Sequence, residues 1–431
     1  MLLRMGRRES SLTPLLTPPH LPRKAGLLMR RTIVLLATMT LTLLVASGVV
    51  LALPSETPEQ TPMVNGTVRA IEQVGTNIWL GGKFTQVKQR DGTVVANVSN
   101  LAVFNSQTNQ YENINLPKLG GSGSEVWDMT LYDENKQIEV DENVLIAGKF
   151  SGPSSTQNNL VLVKGAGPEA GRVIRWYNAP SLKSALAAPD LGRVYGGGVS
   201  LSAFEFSGTK LWTKAKTTVD TTLYPDAPSP SYRDLELDAN GQTIWAACAC
   251  DAVDGNPAKA LVKLNTAGTH DAFWRAAADL PSWGLSLVNA NGALYLGAGG
   301  SDYLAEFSKT DGKITWLSDT SGSVQAVEAM DSQLVVGGHF WEVAGQPADQ
   351  PDDSCGHGRS KPELDPNDEC QTRKGIAAYS FEGVLDPNWD PLYAGKYSLV
   401  WALHVEGSRL HTGGEFLTVN GVTQNYYARL S

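Results

Sequence analysis

From residue 67 onward, apolar positions come in short runs of about four or five, cut by polar turns, which is the spacing of strands rather than helices. One run recurs in a fixed form: two or three apolar residues, a pair of small ones, and often an aromatic two residues later. Its first copy reads Ile78-Trp79-Leu80-Gly81-Gly82-Lys83-Phe84 and its last Leu410-His411-Thr412-Gly413-Gly414-Glu415-Phe416. Five copies lie between, around Ala147-Gly148, Gly197-Gly198, Ala247-Cys248, Gly297-Ala298 and Gly337-Gly338. The first small residue of each pair advances by 66, 50, 50, 50, 40 and 76 residues. That is the period of a propeller blade and too long for a helical-hairpin repeat.

Each copy sits inside a larger unit. An apolar strand precedes it, as in Val68-Arg69-Ala70-Ile71 or Val400-Trp401-Ala402-Leu403, and another follows it, as in Leu101-Ala102-Val103-Phe104. A turn glycine and a fourth strand ending in Trp176, Trp212, Trp274, Trp316 or Trp389 close most units. A tryptophan at one recurrent position reads as packing between blades. The small pairs leave room for a neighbouring blade, and the following phenylalanine returns to the core. The predicted fold is therefore all-β: a seven-bladed β-propeller of four-stranded antiparallel blades over residues 67–431. The last unit ends after its third strand, so residues 54–66, through Thr61-Pro62-Met63-Val64-Asn65 or its neighbours, are expected to pair with the last blade and close the ring.

The N-terminus has another character. A basic extension, 1–31, ends in Arg30-Arg31 and precedes an uncharged apolar run at 32–53, long enough to span a bilayer as a helix. It predicts export, either as a signal peptide with a small-residue site at Val45-Ala46-Ser47 or as a retained anchor, and Met29 is an alternative start. Localisation is thus expected outside the cytoplasm, with the membrane touched only through this segment. Without residues 1–53 the chain carries 28 Lys and Arg against 43 Asp and Glu, net −15, the wrong sign for a nucleic-acid partner.

Outside the cytoplasm, cysteines are expected to oxidise. Cys355 and Cys370 bracket a polar insertion, about 346–373, and are expected to form a disulfide that staples it; His357 alone cannot complete a zinc set with them. Cys248 and Cys250 are either a tight disulfide or free thiols.

The phrases Leu80-Gly81-Gly82-Lys83-Phe84-Thr85-Gln86-Val87 and Gly413-Gly414-Glu415-Phe416-Leu417-Thr418-Val419-Asn420-Gly421 resemble bacterial secreted delta-sixty-repeat propellers, and the order of Gly-Gly, aromatic and Trp is similar to the kelch pattern. The resemblance implies a fold and an extracytoplasmic place, and carries over no catalytic residue.

No Gly-x-Ser-x-Gly elbow, His-Glu-x-x-His helix or phosphate-cradling loop is present. His339, His404 and His411 read as ordinary strand residues, and no metal site is assigned. No cofactor is expected, with calcium left open by the acidic stretch Glu363, Asp365, Asp368 and Glu369. One constellation points to binding. At one repeated place in the first strands stand Arg69, Trp127, Arg233, Trp283, Gln325 and Trp401, candidates for a ring near a channel mouth where stacking and bidentate hydrogen bonds would suit sugars or small anions. The preferred reading is a non-enzymatic surface module for a protein, a glycan or cell-wall material. The alternative is a quinoprotein-like oxidoreductase, for which Thr310-Asp311-Gly312-Lys313-Ile314-Thr315-Trp316 resembles a tryptophan-docking repeat.

Overall fold

A computed structural model describes residues 53–132, 143–222, 227–276, 283–347, 355, 370–395, 397 and 399–431. The basic extension and all but Leu53 of the apolar segment lie outside the described residues. So does the acidic stretch at 363–369. No helix among the described residues is long and apolar enough to cross a membrane.

The described chain is almost wholly β. Among the described residues there are eleven small antiparallel sheets, and seven of them open with an inner strand: Val68–Val74, Gly120–Tyr132, Ser184–Ala188, Ser231–Leu237, Trp283–Ala290, Val324–Met330 and Val400–Glu406. Each inner strand lies beside the next, and the last lies beside the first. Three units carry a regular fourth strand: Val173–Asn178, Lys210–Lys214 and Ile314–Asp319. In the others the expected fourth strand is reduced to a single bridge, such as Leu264 with His270 or Tyr379 with Leu385. The cause is local: Asp271 accepts the N–H groups of Phe273 and Trp274, and Asp386 that of Asn388, which turns these segments out of the ladder.

The small pairs meet the requirement read from the sequence. A Cβ on Gly81 would stand 2.5 Å from Val126 of the next unit, and one on Gly413 2.5 Å from Val68. Both distances are well inside van der Waals contact, so only glycine lets the inner strands close ranks. Phe84, Phe150, Phe340 and Phe416 are all buried. The recurrent tryptophans tie units together at the rim. Trp274 Nε1 donates to Lys309 O at 3.0 Å, Trp316 Nε1 to Phe381 O at 3.0 Å, and Trp389 Nε1 to Pro54 O at 2.8 Å.

That last bond belongs to the closing seam. The pairing expected near residues 61–65 falls a few residues earlier: Ser55 N–H donates to Ser431 O at 2.9 Å, Glu59 N–H to Arg429 O at 2.8 Å, and Pro58 bridges Leu430. Met63–Val64 pairs instead with Gln86–Lys88 of the first unit. Proline at 58 suits an outermost strand, which has no further neighbour to bond.

Candidate functional site

The inner strands enclose a cavity of about 380 Å³. What they turn into it is decided by one recurring irregularity. In six of them the pairing with the glycine strand slips by one residue, between Val68 and Ala70, Val126 and Asp128, Tyr232 and Asp234, Gly284 and Ser286, Val324 and Ala326, and Val400 and Ala402. The residue left over is a bulge, and a bulge re-aims its side chain. The bulged residues are Arg69, Trp127, Arg233, Leu285, Gln325 and Trp401, and all six line the cavity. Lys183, immediately before the inner strand of the third unit, lines it as well.

Five of the six residues expected to share this ring are therefore brought together, and Trp283 is not. It opens its strand opposite Gly299, nearly buried and two residues from the bulge, so Leu285 takes its place. Lys183 was missed because its unit has the faintest first strand.

The ring is not arranged for stacking a sugar. The Arg69 guanidinium carbon lies 4.1 Å from the Trp127 ring centre and 4.3 Å from that of Trp401, and Lys183 Nζ also sits over Trp127, at 2.8 Å. The protein's own cations occupy the aromatic faces. Arg69 Nε pairs with Glu125. Three buried N–H groups around the cavity have no acceptor: Arg69 Nη1, Arg233 Nε and Trp401 Nε1. Among the described residues the Arg233 side chain has no ion pair or hydrogen bond. Burial, and after it the charge of Arg233, pulls the Lys183 ammonium down to about 7.

Deeper along the same strands the lining turns acidic, with Asp128, Asp234, Glu236, Glu328 and Glu72. Two of these acids are structural. Asp128 accepts the Ala185 N–H at 2.7 Å and Asp234 the Leu287 N–H at 2.8 Å, each clasping the inner strand of the following unit. Ser286 continues the belt, its hydroxyl accepting the Val327 N–H at 3.1 Å. Burial, then their mutual repulsion, pushes Asp128 up; burial does the same to Asp234. Glu236 and Glu328 have no hydrogen-bond or ion-pair partner among the described residues. Burial first, then neighbouring carboxylates, pushes Glu236 well up and Glu328 to about 8.

Among solved structures the chain is similar to the WD40 β-propeller domain of Doa1, with a TM-score of 0.50 and 10% identity over 87% of this chain and 96% of that one. The chain has a β-propeller fold. It also matches the computationally designed protein Ika8 (TM-score 0.46, 11% identity, 86% of this chain and 92% of that one). An extracellular domain from B. thetaiotaomicron matches at TM-score 0.48 and 10% identity, with 87% of this chain aligned to only 40% of that one. No protein-family model matches the chain, and no curated protein matches it in sequence. The likeness to the Doa1 domain speaks for the propeller alone.

Both cysteine pairs are disulfides, Cys355 with Cys370 and Cys248 with Cys250, the latter fully buried beside the fourth unit's core. His404 lines the channel, while His411 is buried at the seam on Glu406 and Tyr427, and His339 stands in neither place. No group of three or more potential metal ligands occurs among the described residues.

Proposed function

We propose that the chain is a seven-bladed propeller of the delta-sixty or kelch-like kind that acts outside the cytoplasm as a non-enzymatic binding module, and that its channel takes the anionic end of a small molecule or glycan. One observation carries this reading: among the described residues, Arg69, Arg233 and Trp401, which all line a single cavity, each hold a buried N–H donor without an acceptor. A buried donor left unbonded costs about 1–3 kcal/mol, more for a charged group, and an arginine cannot relieve the cost by losing its proton. An anion supplies what the protein withholds. The two clasping aspartates are committed to backbone N–H groups, which supports a binding rather than a catalytic role for this wall. The Cys355–Cys370 bond and the apolar run at 32–53 support the extracytoplasmic place.

A thermal-shift series on the full chain, in a detergent that keeps residues 32–53 in solution, tests the reading. Acetate, phosphate and D-glucuronate should each raise the melting temperature by mass action, and Arg233→Met should abolish the rise. No shift with any anion, or a shift only with pyrroloquinoline quinone plus calcium, overturns it.

A further inference from the structure

The cationic ring accounts for one half of the channel. The other half holds Glu236 and Glu328, three residues further along the strands that carry Arg233 and Gln325, roughly 7–10 Å deeper at ~3.3 Å per residue. The two storeys differ in what they need. Arg233 keeps its charge whatever surrounds it, whereas a carboxylate without a partner takes up a proton and becomes a neutral group that both donates and accepts hydrogen bonds. Burial favours that outcome first. Asp234, Glu328 and Asp128 add to it at Glu236 against the opposing charge of Lys309, and Glu72 and Asp234 add to it at Glu328. The cavity thus offers fixed positive charge at the mouth and neutral, two-way hydrogen-bonding groups below.

We propose that the ligand of this channel is a polyhydroxylated carboxylate, an acidic sugar of the uronic or aldonic class, with its carboxylate on Arg233 and Arg69 and its hydroxyls on Glu236 and Glu328. The inference rests on the reading of the mouth as an anion site and deepens it. A hydroxyl donates to one carboxylic acid oxygen while accepting from the other, and so satisfies a neutral acid without requiring it to ionise. A ligand with an ammonium group would instead demand two carboxylates, in the place where the protein gathers like charges against them. Gln325, at the level of the ring, adds a further neutral donor and acceptor. The tryptophans contribute by holding Arg69 and Lys183 in place, not by stacking on the ring of the sugar.

Isothermal titration calorimetry on the full chain decides it, with D-glucuronate, acetate and D-glucose as probes. The wild type should bind glucuronate at least ~10-fold more tightly than either fragment-like probe, since the hydroxyl bonds and the carboxylate bond each add about 1 kcal/mol or more. Changing Glu236→Gln and Glu328→Gln together should keep glucuronate affinity within ~3-fold, because the amides preserve neutral donors and acceptors. Glu236→Leu with Glu328→Leu should reduce glucuronate to the level of acetate; the glutamine pair is the folded control should the leucine pair fail to fold. Equal binding of acetate and glucuronate, both abolished by Arg233→Met, would sink the inference and leave the anion site standing. Loss of binding in the glutamine pair, or 6-aminohexanoate binding better than glucuronate, would show charged carboxylates and overturn it. Silence from every anion would remove the underlying reading as well.

Discussion

Two polar clusters of this propeller, one at its closing seam and one in its channel, treat charge in opposite ways. At the seam where residues 55–59 meet the last strand, the charged groups are answered among the described residues. Arg429 donates to Glu59 and to Ser106 O, Glu59 also accepts from Asn109 at 3.0 Å, Arg409 lies 3.5 Å from Glu406, and His411 joins Glu406 at 3.1 Å and the Tyr427 hydroxyl at 2.8 Å. In the channel, Arg233, Glu236 and Glu328 have no hydrogen-bond or ion-pair partner among the described residues. The seam is finished by the protein itself, whereas in the proposed reading the channel is finished by a bound anion. A buried charge left unpaired costs stability.

The contrast can be broken most severely at the seam. Arg429→Ala removes both Arg429 bonds to Glu59 and one to Ser106 O, and should destabilise the chain by about 3–5 kcal/mol in urea unfolding, as for any broken buried pair. A loss below about 1 kcal/mol would reduce the seam to the rank of a surface ion pair. Next in size is Trp283→Ala, expected to cost about 3 kcal/mol through lost packing while leaving the affinity for anions unchanged. A change in affinity with stability intact would return Trp283 to the channel.

Acidity separates the two clusters by sign. At Glu59 burial raises the carboxyl, but hydrogen bonds from Arg429 and Asn109 outweigh it and hold it at about 2; Glu406, with His411, is likewise held at about 2. Both lie below the ordinary 4.5, so the unfolded chain takes up protons first. The stability they contribute is present above that value and is lost as the pH falls toward 2. Glu328 stands at about 8, so the folded chain keeps its proton longer, and stability falls as the pH rises from 4.5 through 8. Urea midpoints across this range should flatten on the acid side in Glu59→Gln and on the alkaline side in Glu328→Gln; a common slope in both variants would erase the distinction. The smallest effect expected is a gain: Arg233→Met replaces an unpaired buried cation with an apolar chain and should stabilise the ligand-free protein by ~1 kcal/mol. A clear loss would mean that Arg233 is paired after all.

Much of this was legible from the chain. The small pairs at Gly81, Gly297, Gly337 and Gly413 announce close approach of inner strands, and the recurrent tryptophans announce the rim. Five of the six ring residues read from the chain line the cavity, Lys183 was missed, and the place of Trp283 is instructive. Arg69, Leu285, Gln325 and Trp401 each stand twelve residues before the first glycine of their pair, whereas Trp283 stands fourteen before. In those four units spacing holds the register; Arg233, fourteen residues before Ala247, and Trp127, twenty before Ala147, line the cavity without it. The pairing state of the channel groups was not legible, because it depends on which residues three different units bring within reach, and no local pattern records that. The reduced fourth strands were hidden for a simpler reason: a capping aspartate costs one residue and looks like any polar turn.

The seam carries one more consequence, for time rather than for stability. A turn inside one unit brings together residues a few positions apart, while Ser55 must find Ser431 across almost the whole propeller. Closing so long a loop adds only about 0.6 kcal/mol for each doubling of its length, a small equilibrium term. Contacts of such long range nevertheless slow the search, so the last strand is the step for which the other units wait. Until it docks, the edge at Tyr427–Leu430 offers unpaired backbone to any passing strand. The residues that emerge early in synthesis are then the ones that shield the last to arrive.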